Sequence, residues 1–378
     1  MKISFCGDCI IKDEPTDIEI GCKLKDILGT CEINAINLEA PIDTRDSLIP
    51  IQKAGPNHKQ SIKTPQWLEK NGFNLISLAN NHSLDYGSKA LLATVNSFKK
   101  SLVIGYGTYP EAYEFNYISN GDETIGFLAL SHREFGCIDI HSKEKIGTPI
   151  ITSPLVFRAI KEARQKANKL IIISHTGVEY IDAPLPEWRE LFKTFIDMGV
   201  DMIVNSHPHI PQGVEIYKGK PIIYSLGNFI FDKPNTKNIH PLWYSSILTI
   251  FNSKNNKIDI LPLKYDIQKK LIEIDTSIET KNHLNYLNNL INCQSTYNSY
   301  ISKLYPTFSN IYKQRILSGT RISIKENIKN LFRLFAGKKL IRKNEANLLN
   351  LFQCESHRWI IQRQLHNNLE SNKNINEK

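Results

Sequence analysis

The chain has 378 residues, of which 41% are apolar and 22% charged, as expected for a folded globular protein of one large or two medium domains. It contains no apolar run of about 18 residues or more, which excludes a candidate membrane-spanning helix in this sequence. Its seven cysteines are odd in number and widely scattered, which argues against a disulfide framework. The first residues form a strand-like pattern rather than an apolar leader, so we expect a cytoplasmic protein.

The net charge of +9 is concentrated in the C-terminal part of the chain. Residues 267–378 contain 18 Lys or Arg and 8 Asp or Glu, a net charge of +10, whereas the rest contains 29 and 30, a net charge of −1. No nucleic-acid-binding module or glycine-rich basic loop is recognisable, so we expect no nucleic-acid partner.

Apolar segments alternate with helix-like segments through the first half of the chain. In chain order, the patterns predict strands at 2–6 and 34–38, a helix at 64–70 with Thr64 as its N-cap, a strand at 73–78, a helix at 88–100, a strand at 124–130, a helix from Ser153 to about 168, a strand at 170–174, a helix at 186–198 and a strand from Asp201. This alternation is typical of an α/β domain with a largely parallel or mixed sheet.

The pattern changes after His209. Two hairpins are predicted, one pairing residues 213–217 with 221–226 and one pairing 246–251 with 257–263. From about residue 268 the chain is rich in Asn, Lys, Leu and Ile with helical periodicity. We therefore predict an α/β domain over 1–267 and a basic, mainly helical extension over 268–378.

Predicted strands repeatedly end in a side chain that can bind a metal ion. These residues are Asp8, Glu39, Asn81, His175, His207 and His209. Ligands bind at the carboxyl ends of the strands of an open α/β sheet, so we expect these residues to meet, although each alone also fits an ordinary structural role. Oxygen and imidazole together favour Mn²⁺, Fe²⁺ or Zn²⁺, and six ligands suit two ions with Glu39 as a bridge. His82, next to Asn81, is the predicted catalytic residue, which would protonate a leaving oxygen or stabilise developing charge.

Several sequence blocks carry a family resemblance. They are Gly7-Asp8, Asn37-Leu38-Glu39, Leu78-Ala-Asn-Asn-His82 with Leu84-Asp-Tyr-Gly87, His175-x-Gly-x-Glu-Tyr180, Ser206-His-Pro-His209 and Tyr224-Ser-Leu-Gly-Asn-Phe229. Over about residues 1–265 they resemble the CapA family of poly-γ-glutamate capsule biosynthesis, within the metallophosphatase-like superfamily.

The resemblance implies a layered α/β/β/α sandwich of the metallophosphoesterase type with a divalent metal centre. It carries the six ligand roles and the catalytic or orienting role of His82 over to the residues already named. Metallophosphoesterases often begin with Asp-x-His, but this chain has Ile10 at the histidine position and Glu39 where an Asp usually bridges. Occupancy by two ions, one or none is therefore open.

Three further residues of the family-like blocks are candidate substrate contacts: Asp85, Glu179 and Asn228. Asp85 also fits a role in a turn, and Asn228 fits a role in holding a loop by hydrogen bonds to the backbone. We favour this structural role for Asn228 only.

The basic tail contains an amphipathic segment at 321–343. Ile324, Ile328, Leu331, Phe332 and Phe335 fall on one helical face, with Lys and Arg on the other. Such a segment can lie on an anionic membrane surface, such as the inner membrane face, but packing of the apolar stripe on the main domain is the commoner arrangement and the one we expect.

Two functions follow from these observations. The first is a metal-dependent, phosphatase-like hydrolase that acts on a phosphoester or an anionic polymer in the synthesis of a capsule of poly-γ-glutamate or polysaccharide. The alternative is a catalytically vestigial binding or assembly factor of a capsule synthase complex at the membrane surface.

Overall fold

The computed structural model describes residues 1–44, 48–142, 144–232, 239–320, 324–337 and 343–376. The described strands are β1 (Lys2–Ile10), β2 (Glu19–Ile20), β3 (Ile33–Leu38), β4 (Leu75–Ser77), β5 (Leu102–Ile104), β6 (Asn116–Asn120), β7 (Glu123–Ser131), β8 (Cys137–Ile138), β9 (Thr148–Pro149), β10 (Lys169–His175), β11 (Met202–Ser206), β12 (Val214–Tyr217), β13 (Lys220–Ile223), β14 (Asn228–Phe231), β15 (Ser245–Asn252), β16 (Lys257–Asp266) and β17 (Leu271–Ile274). The described α-helices are α1 (Cys22–Gly29), α2 (Thr64–Lys70), α3 (Gly87–Ser97), α4 (Pro154–Ala163), α5 (Pro186–Asp197), α6 (Ile278–Asn292), α7 (Gln294–Thr320), α8 (Ile324–Phe335), α9 (Lys343–Gln353) and α10 (Glu355–Asn376).

Most of these strands form two mixed sheets. A nine-stranded sheet has the order β2-β17-β16-β15-β1-β3-β4-β5, with β14 also paired to β1. A six-stranded sheet has the order β12-β13-β11-β10-β7-β6. At the centre of the first sheet β1 runs parallel to β3 and β14, and at the centre of the second β10 runs parallel to β7 and β11. The antiparallel strands β15 and β16 widen the first sheet as the second predicted hairpin, and β12 pairs with β13 as the first.

Three apolar cores show how the layers are stacked. The core between the two sheets joins residues such as Phe5 and Leu75 of the first sheet to residues such as Phe127 and Val204 of the second. A second core packs α1, α2 and α3 on the outer face of the first sheet. The third packs α4, α5 and the C-terminal helices on the outer face of the second sheet. The result is the predicted α/β/β/α sandwich, with both central layers buried.

The alternation of strands and helices along the chain is confirmed, but elements such as α1, β5 and β6 were not predicted and several element ends differ. Helix α2 begins at Thr64 with Lys63 as its N-cap, so the predicted capping role of Thr64 is wrong. Helix α4 has the predicted cap, since Ser153 Oγ accepts a hydrogen bond from the backbone N–H of Leu155, but it ends at Ala163, before the predicted residue 168. The next residue, Arg164, donates a hydrogen bond to Asp201, which directly precedes β11.

The C-terminal part is mainly helical from Ile278 onward, and its helices share an apolar core with the α/β layers. Strand β17 continues the nine-stranded sheet past residue 267, where the predicted boundary lies. Apolar residues of α6, α7, α9 and α10 share one buried cluster with α4 and α5. Among the described residues, none of the helices is both long and apolar enough to cross a membrane.

Helix α8 departs from the predicted packing. Residues 321–323 and 338–342 of the amphipathic segment lie outside the described residues. On the helix itself Phe332 is 70% exposed and Phe335 85%, and Ile328 and Leu331 are also exposed. The apolar face of α8 therefore lies in solvent instead of packing on the main domain.

Candidate metal centre

The six predicted ligands come from the carboxyl ends of strands in both sheets. Asp8 lies near the end of β1, Glu39 directly follows β3, and Asn81 lies in the turn after β4. From the second sheet, His175 ends β10, and His207 and His209 follow β11. Because both sheets present these ends at one edge of the sandwich, side chains spread over 200 positions of sequence lie together, as the strand-end pattern predicts.

The first group of donors surrounds His175 Nε2. This nitrogen lies 3.1 Å from Asn81 Oδ1, 3.2 Å from His207 Nδ1 and 3.4 Å from Glu39 Oε1. Donor atoms around a tetrahedral ion with bonds of about 2.0–2.1 Å lie roughly 3.3 Å apart. Glu39, His175 and His207 each place a ligand atom within 4.8 Å of the others, and Asn81 Oδ1 adds a fourth donor beside His175.

A second group shares Glu39 with the first. One ligand atom from each of Asp8, Glu39 and His209 lies within 4.8 Å of the others. Asp8 Oδ2 is 3.5 Å from His209 Nδ1, and Glu39 Oε1 is 3.9 Å from His209 Nε2. A carboxylate common to two donor groups is the arrangement of a bridging ligand.

Glu39 provides the test of whether these residues fit a cation. Its side chain is 0% exposed, and among the described residues neither carboxylate oxygen has a hydrogen-bond partner. Burying a carboxylate without hydrogen bonds is strongly unfavourable unless a cation compensates its charge. The donor set of imidazole nitrogens, carboxylates and an amide oxygen is one that Mn²⁺, Fe²⁺ and Zn²⁺ accept. The residues therefore fit a divalent metal ion.

The cluster carries negative potential. Burial acts to lower the pKa of His175, but the carboxylates of Glu39 and Asp8 raise it to about 9. Burial also opposes protonation of His209, yet Glu39 and Asp8 raise the pKa of His209 to about 10. A pair of buried carboxylates that attracts protons this strongly also attracts cations.

The backbone around Pro208 is bent to direct both flanking imidazoles into the cluster. His207 has φ 97° and His209 has φ 61°, a left-handed region that residues with a Cβ seldom occupy. Such conformations persist where the surrounding structure holds them, and they cluster at functional sites. His209 Nδ1 is also 3.0 Å from Asn228 Oδ1, which fixes its ring orientation.

His82 lies beside the cluster, in a buried polar network. Its Nδ1 is 2.9 Å from Lys53 Nζ and 2.7 Å from Asp85 Oδ2, while Lys53 and Asp85 also form a buried ion pair. The ring of His58 lies 4.5 Å from that of His82. Burial lowers the pKa of His82 well below its ordinary value, and the charge of Lys53 lowers it further, so the imidazole is neutral.

One family model matches the region that contains the six candidate ligands. The model of the family described as "Bacterial capsule synthesis protein PGA_cap" matches residues 2–233, more than half of the chain. The chain belongs to this family. The predicted resemblance to CapA is thereby confirmed.

Two curated relatives illustrate the similarity of this PGA_cap member to named proteins. The Bacillus anthracis protein "Capsule biosynthesis protein CapA" is 30% identical over 260 residues, covering 66% of this chain and 61% of that protein. The Bacillus subtilis (strain 168) protein "PGA biosynthesis protein CapA" is 34% identical over 188 residues, covering 48% of this chain and 47% of that protein. The chain therefore spans less than two thirds of the length of either relative.

Solved structures also show some likeness to this PGA_cap member. A putative 5'-nucleotidase from Staphylococcus aureus is 15% identical with a TM-score of 0.44, covering 76% of this chain and 58% of that one. A hypothetical protein from Thermus thermophilus is 18% identical with a TM-score of 0.43, covering 69% of this chain and 98% of that one.

The three candidate substrate contacts of this PGA_cap member lie in different surroundings. Asp85 is 0% exposed, and its carboxylate contacts Lys53, His82 and the backbone N–H of His58. Asn228 is buried and contacts His209, and its side-chain N–H donates a hydrogen bond to the carbonyl of Trp243. The second contact is a hydrogen bond to the backbone, as we expected for Asn228. Glu179 is exposed and lines two cavities next to the cluster.

Those two cavities share lining residues, among them His82, Glu179 and Tyr180. One, of about 600 Å³, extends to His207 and is closed by residues of the C-terminal helices, namely Phe308, Ile311, Tyr312, Arg315, Asn347, Asn350 and His357. The other, of about 610 Å³, extends to His209 and is lined by His58, Lys59 and Trp243. A ligand in either cavity reaches one of the two donor groups.

Sequence patterns missed several polar residues in and next to this site. His132 directly follows β7, as His175 ends β10, and the same strand-end rule would have found it. Lys53 lies in an irregular loop between β3 and α2, and no periodic pattern marks it. The side-chain N–H of Asn37 donates a hydrogen bond of 2.7 Å to Asp8 Oδ1. Because Asn37 lies within the buried strand β3, the sequence pattern indicates only a core residue there.

Proposed function

We propose that this protein is a metal-dependent hydrolase of capsule synthesis that acts on a phosphoester or on an anionic capsule polymer or its precursor. The observation that carries the proposal is Glu39, a fully buried carboxylate shared by two donor groups, with no hydrogen-bond partner among the described residues. Membership of the capsule synthesis family supports the biological context, and the names of the Bacillus relatives support poly-γ-glutamate as the polymer.

The proposed ligands are Asn81, Glu39, His175 and His207 for one ion, and Asp8, Glu39 and His209 for a second. Such a pair of ions, when bound, would lower the pKa of a water and neutralise charge on a reacting phosphoryl or acyl oxygen. Asn37 and the backbone N–H of His207 hold Asp8 in place, and Asn228 holds His209.

His82 has a narrower role than a proton donor in this proposal. A neutral imidazole has no extra proton to give at neutral pH, so His82 would contribute a hydrogen bond to the substrate. Lys53 and Asp85 occupy its Nδ1, which leaves Nε2 for the cavity. Asp85 and Lys53 therefore act as positioning residues.

The test is the metal content and turnover of the purified full chain and of a His207→Ala/His209→Ala variant. We expect Mn, Fe or Zn near stoichiometry in the wild type, with metal-stimulated hydrolysis of p-nitrophenyl phosphate or of polyglutamate. Removal of two of the proposed ligands should lower metal affinity by at least about tenfold and abolish turnover.

The matched control is His141→Ala/His366→Ala, which removes two exposed histidines and should change neither quantity. Equal metal content in both double variants would overturn the ligand assignment. Bound metal without turnover of any phosphoester or polyglutamate would overturn the hydrolase and leave a metal-binding protein.

A second candidate function is that of an assembly factor for a capsule synthase at an anionic membrane surface. Two features of the segment 321–343 favour it. The apolar face of α8 is exposed, and the segment contains eight Lys or Arg and one Glu, a net charge of +7 that would attract anionic lipids. This alternative is catalytically vestigial, so it predicts membrane binding through α8 without turnover.

A further inference from the structure

A second cluster of metal-binding side chains joins the α/β layers to the C-terminal helices. His132 and Glu134 follow β7, and Cys354 is the residue between α9 and α10, more than 200 positions later. One ligand atom from each of the three lies within 4.8 Å of the other two. His132 is 1% exposed and Cys354 0%, so the cluster is in the interior.

His132 is the observation that points to a ligand. Both of its ring nitrogens are buried, and neither has a hydrogen-bond partner among the described residues. An imidazole carries at least one N–H donor, and leaving its buried nitrogens unpaired is unfavourable. His132 Nε2 is 3.9 Å from Glu134 Oε1, too far for a hydrogen bond but a separation that two ligands of one ion can have.

Glu134 is held in position by the neighbouring centre. Its other oxygen, Oε2, accepts a hydrogen bond of 2.9 Å from Asn81 Nδ2. This bond occupies one carboxylate oxygen and leaves Oε1 on the side of His132, 3.9 Å from its Nε2.

The Cys354 side of the cluster is fixed just as firmly. The residues after Cys354 are buried and bond to the α/β layers through four hydrogen bonds: Arg133 N–H to Glu355 Oε2 (2.8 Å), Thr152 Oγ1 to Glu355 Oε1 (2.6 Å), Trp188 Nε1 to Ser356 Oγ (2.9 Å) and Ser356 Oγ to Gly177 O (2.6 Å). This anchor sets the thiol against His132 and Glu134 before any ligand arrives.

We propose that His132, Glu134 and Cys354 form an additional metal site that binds a Zn²⁺-like ion and fastens the C-terminal helices over the catalytic cavity. A thiolate, an imidazole and a carboxylate are three ligands that zinc accepts in one tetrahedral site. His357, three residues after Cys354, lines the same cavity as Glu134. The thiol proton leaves to solvent when the ion binds, as in other cysteine sites.

The sulfur ligand separates this site from the centre built on Glu39, whose donors are nitrogen and oxygen. The full chain is stripped with a chelator and titrated with Co²⁺, whose bonds to thiolate give charge-transfer absorption in the near ultraviolet. We expect this absorption to saturate in the wild type at the intensity of one thiolate-bound Co²⁺ per chain, because the nitrogen and oxygen donors of the other centre give no such band. It should be equally strong in Glu39→Gln, which alters the neighbouring centre, so the outcome does not depend on the proposed hydrolase.

Cys354→Ser should abolish the charge-transfer absorption, whereas Cys293→Ser, at an exposed cysteine, should retain it. In case Cys354→Ser does not fold, His132→Gln keeps the thiol and should weaken Co²⁺ binding at this site by at least about tenfold. Absence of the absorption in the wild type, its survival in Cys354→Ser, or unchanged affinity in His132→Gln would each overturn the site.

Discussion

Gly7 determines where Asp8 is placed. The carbonyl oxygen of Gly227 would lie 1.8 Å from a Cβ at position 7, and that same carbonyl accepts a hydrogen bond of 3.0 Å from Asp8 N–H. The close approach of the two backbones thus holds a proposed ligand, and it requires glycine. We expect Gly7→Ala to lower the free energy of unfolding by about 1–3 kcal/mol or more and to reduce bound metal, measured by urea denaturation and elemental analysis.

Gly29→Ala is the matched control for that substitution. Gly29 is the last residue of α1, and a Cβ there meets nothing within 4 Å. Alanine should leave metal content unchanged and alter stability by at most about 1 kcal/mol, in the favourable direction. If Gly7→Ala binds metal as the wild type does, the contact with Gly227 does not position Asp8.

At the level of single residues, sequence patterns predicted which candidate ligands lie together but not the residues that support them. Asp8, Glu39 and His175 each end a predicted strand, and parallel strands bring such ends to one edge. The residues that orient them are selected by tertiary contact. Lys53 reaches His82 from an irregular loop, and Cys354 reaches His132 across more than 200 residues, so no local periodicity marks either one.

Among the elements, α8 is where the expected packing fails. A stripe of apolar residues at helical spacing shows which face is apolar, but it carries no information about what covers that face. Here Phe332 and Phe335 are among the most exposed large apolar side chains of the described chain, and Lys329 and Arg333 lie on the same helix. A surface that is both apolar and basic matches an anionic bilayer.

We therefore expect the protein to sediment with vesicles that contain phosphatidylglycerol and not with vesicles of phosphatidylcholine alone. Phe332→Ser/Phe335→Ser should weaken this binding by at least about tenfold, because the two rings are the most exposed of the described apolar side chains of α8. Ile140→Ser, at another exposed apolar position, should bind as the wild type does. Equal sedimentation of the double variant would refute membrane contact through α8.

For the whole molecule, the question is what unites the C-terminal helices with the α/β layers. The composition shift near residue 268 suggested a separate extension, but composition cannot reveal a shared core. Helices α6, α7, α9 and α10 complete the apolar layer on α4 and α5. Helices α7, α9 and α10 also line the cavity beside His207, so the fold places the extension where it can affect the site.

A buried ion pair lies where the C-terminal helices pack on the α/β layers. Arg189 of α5 makes a bidentate contact with Glu215 of β12, through Nε (2.8 Å) and Nη2 (2.9 Å). The same guanidinium donates to the carbonyl of Ile291 at the end of α6 over 2.9 Å and lies 4.8 Å from the ring centre of Tyr297 in α7. One side chain thus links the second sheet, its covering helix and two helices of the extension.

Glu215→Gln should therefore destabilise the whole chain, because it leaves the buried Arg189 without a compensating charge. We expect a loss of about 3 kcal/mol in the free energy of unfolding at neutral pH, in one cooperative transition. Asp197→Asn, which breaks the exposed pair with Lys218, should have no measurable effect. A wild-type unfolding curve for Glu215→Gln would show that this pair does not unite the two parts.

The pH dependence gives the same test a second, independent result. Burial acts to raise the pKa of Glu215, but the hydrogen bonds from Arg189 and Tyr224 outweigh it and lower the pKa. A carboxylate with a lowered pKa in the folded state stabilises the protein fully above its unfolded pKa of about 4.3 and loses this effect as the pH falls. The stability difference between wild type and Glu215→Gln should thus be constant near neutral pH and shrink below about pH 4. A difference that persists undiminished in acid would mean that the substitution acts through packing, with Arg189 held by Ile291 and Tyr297 alone.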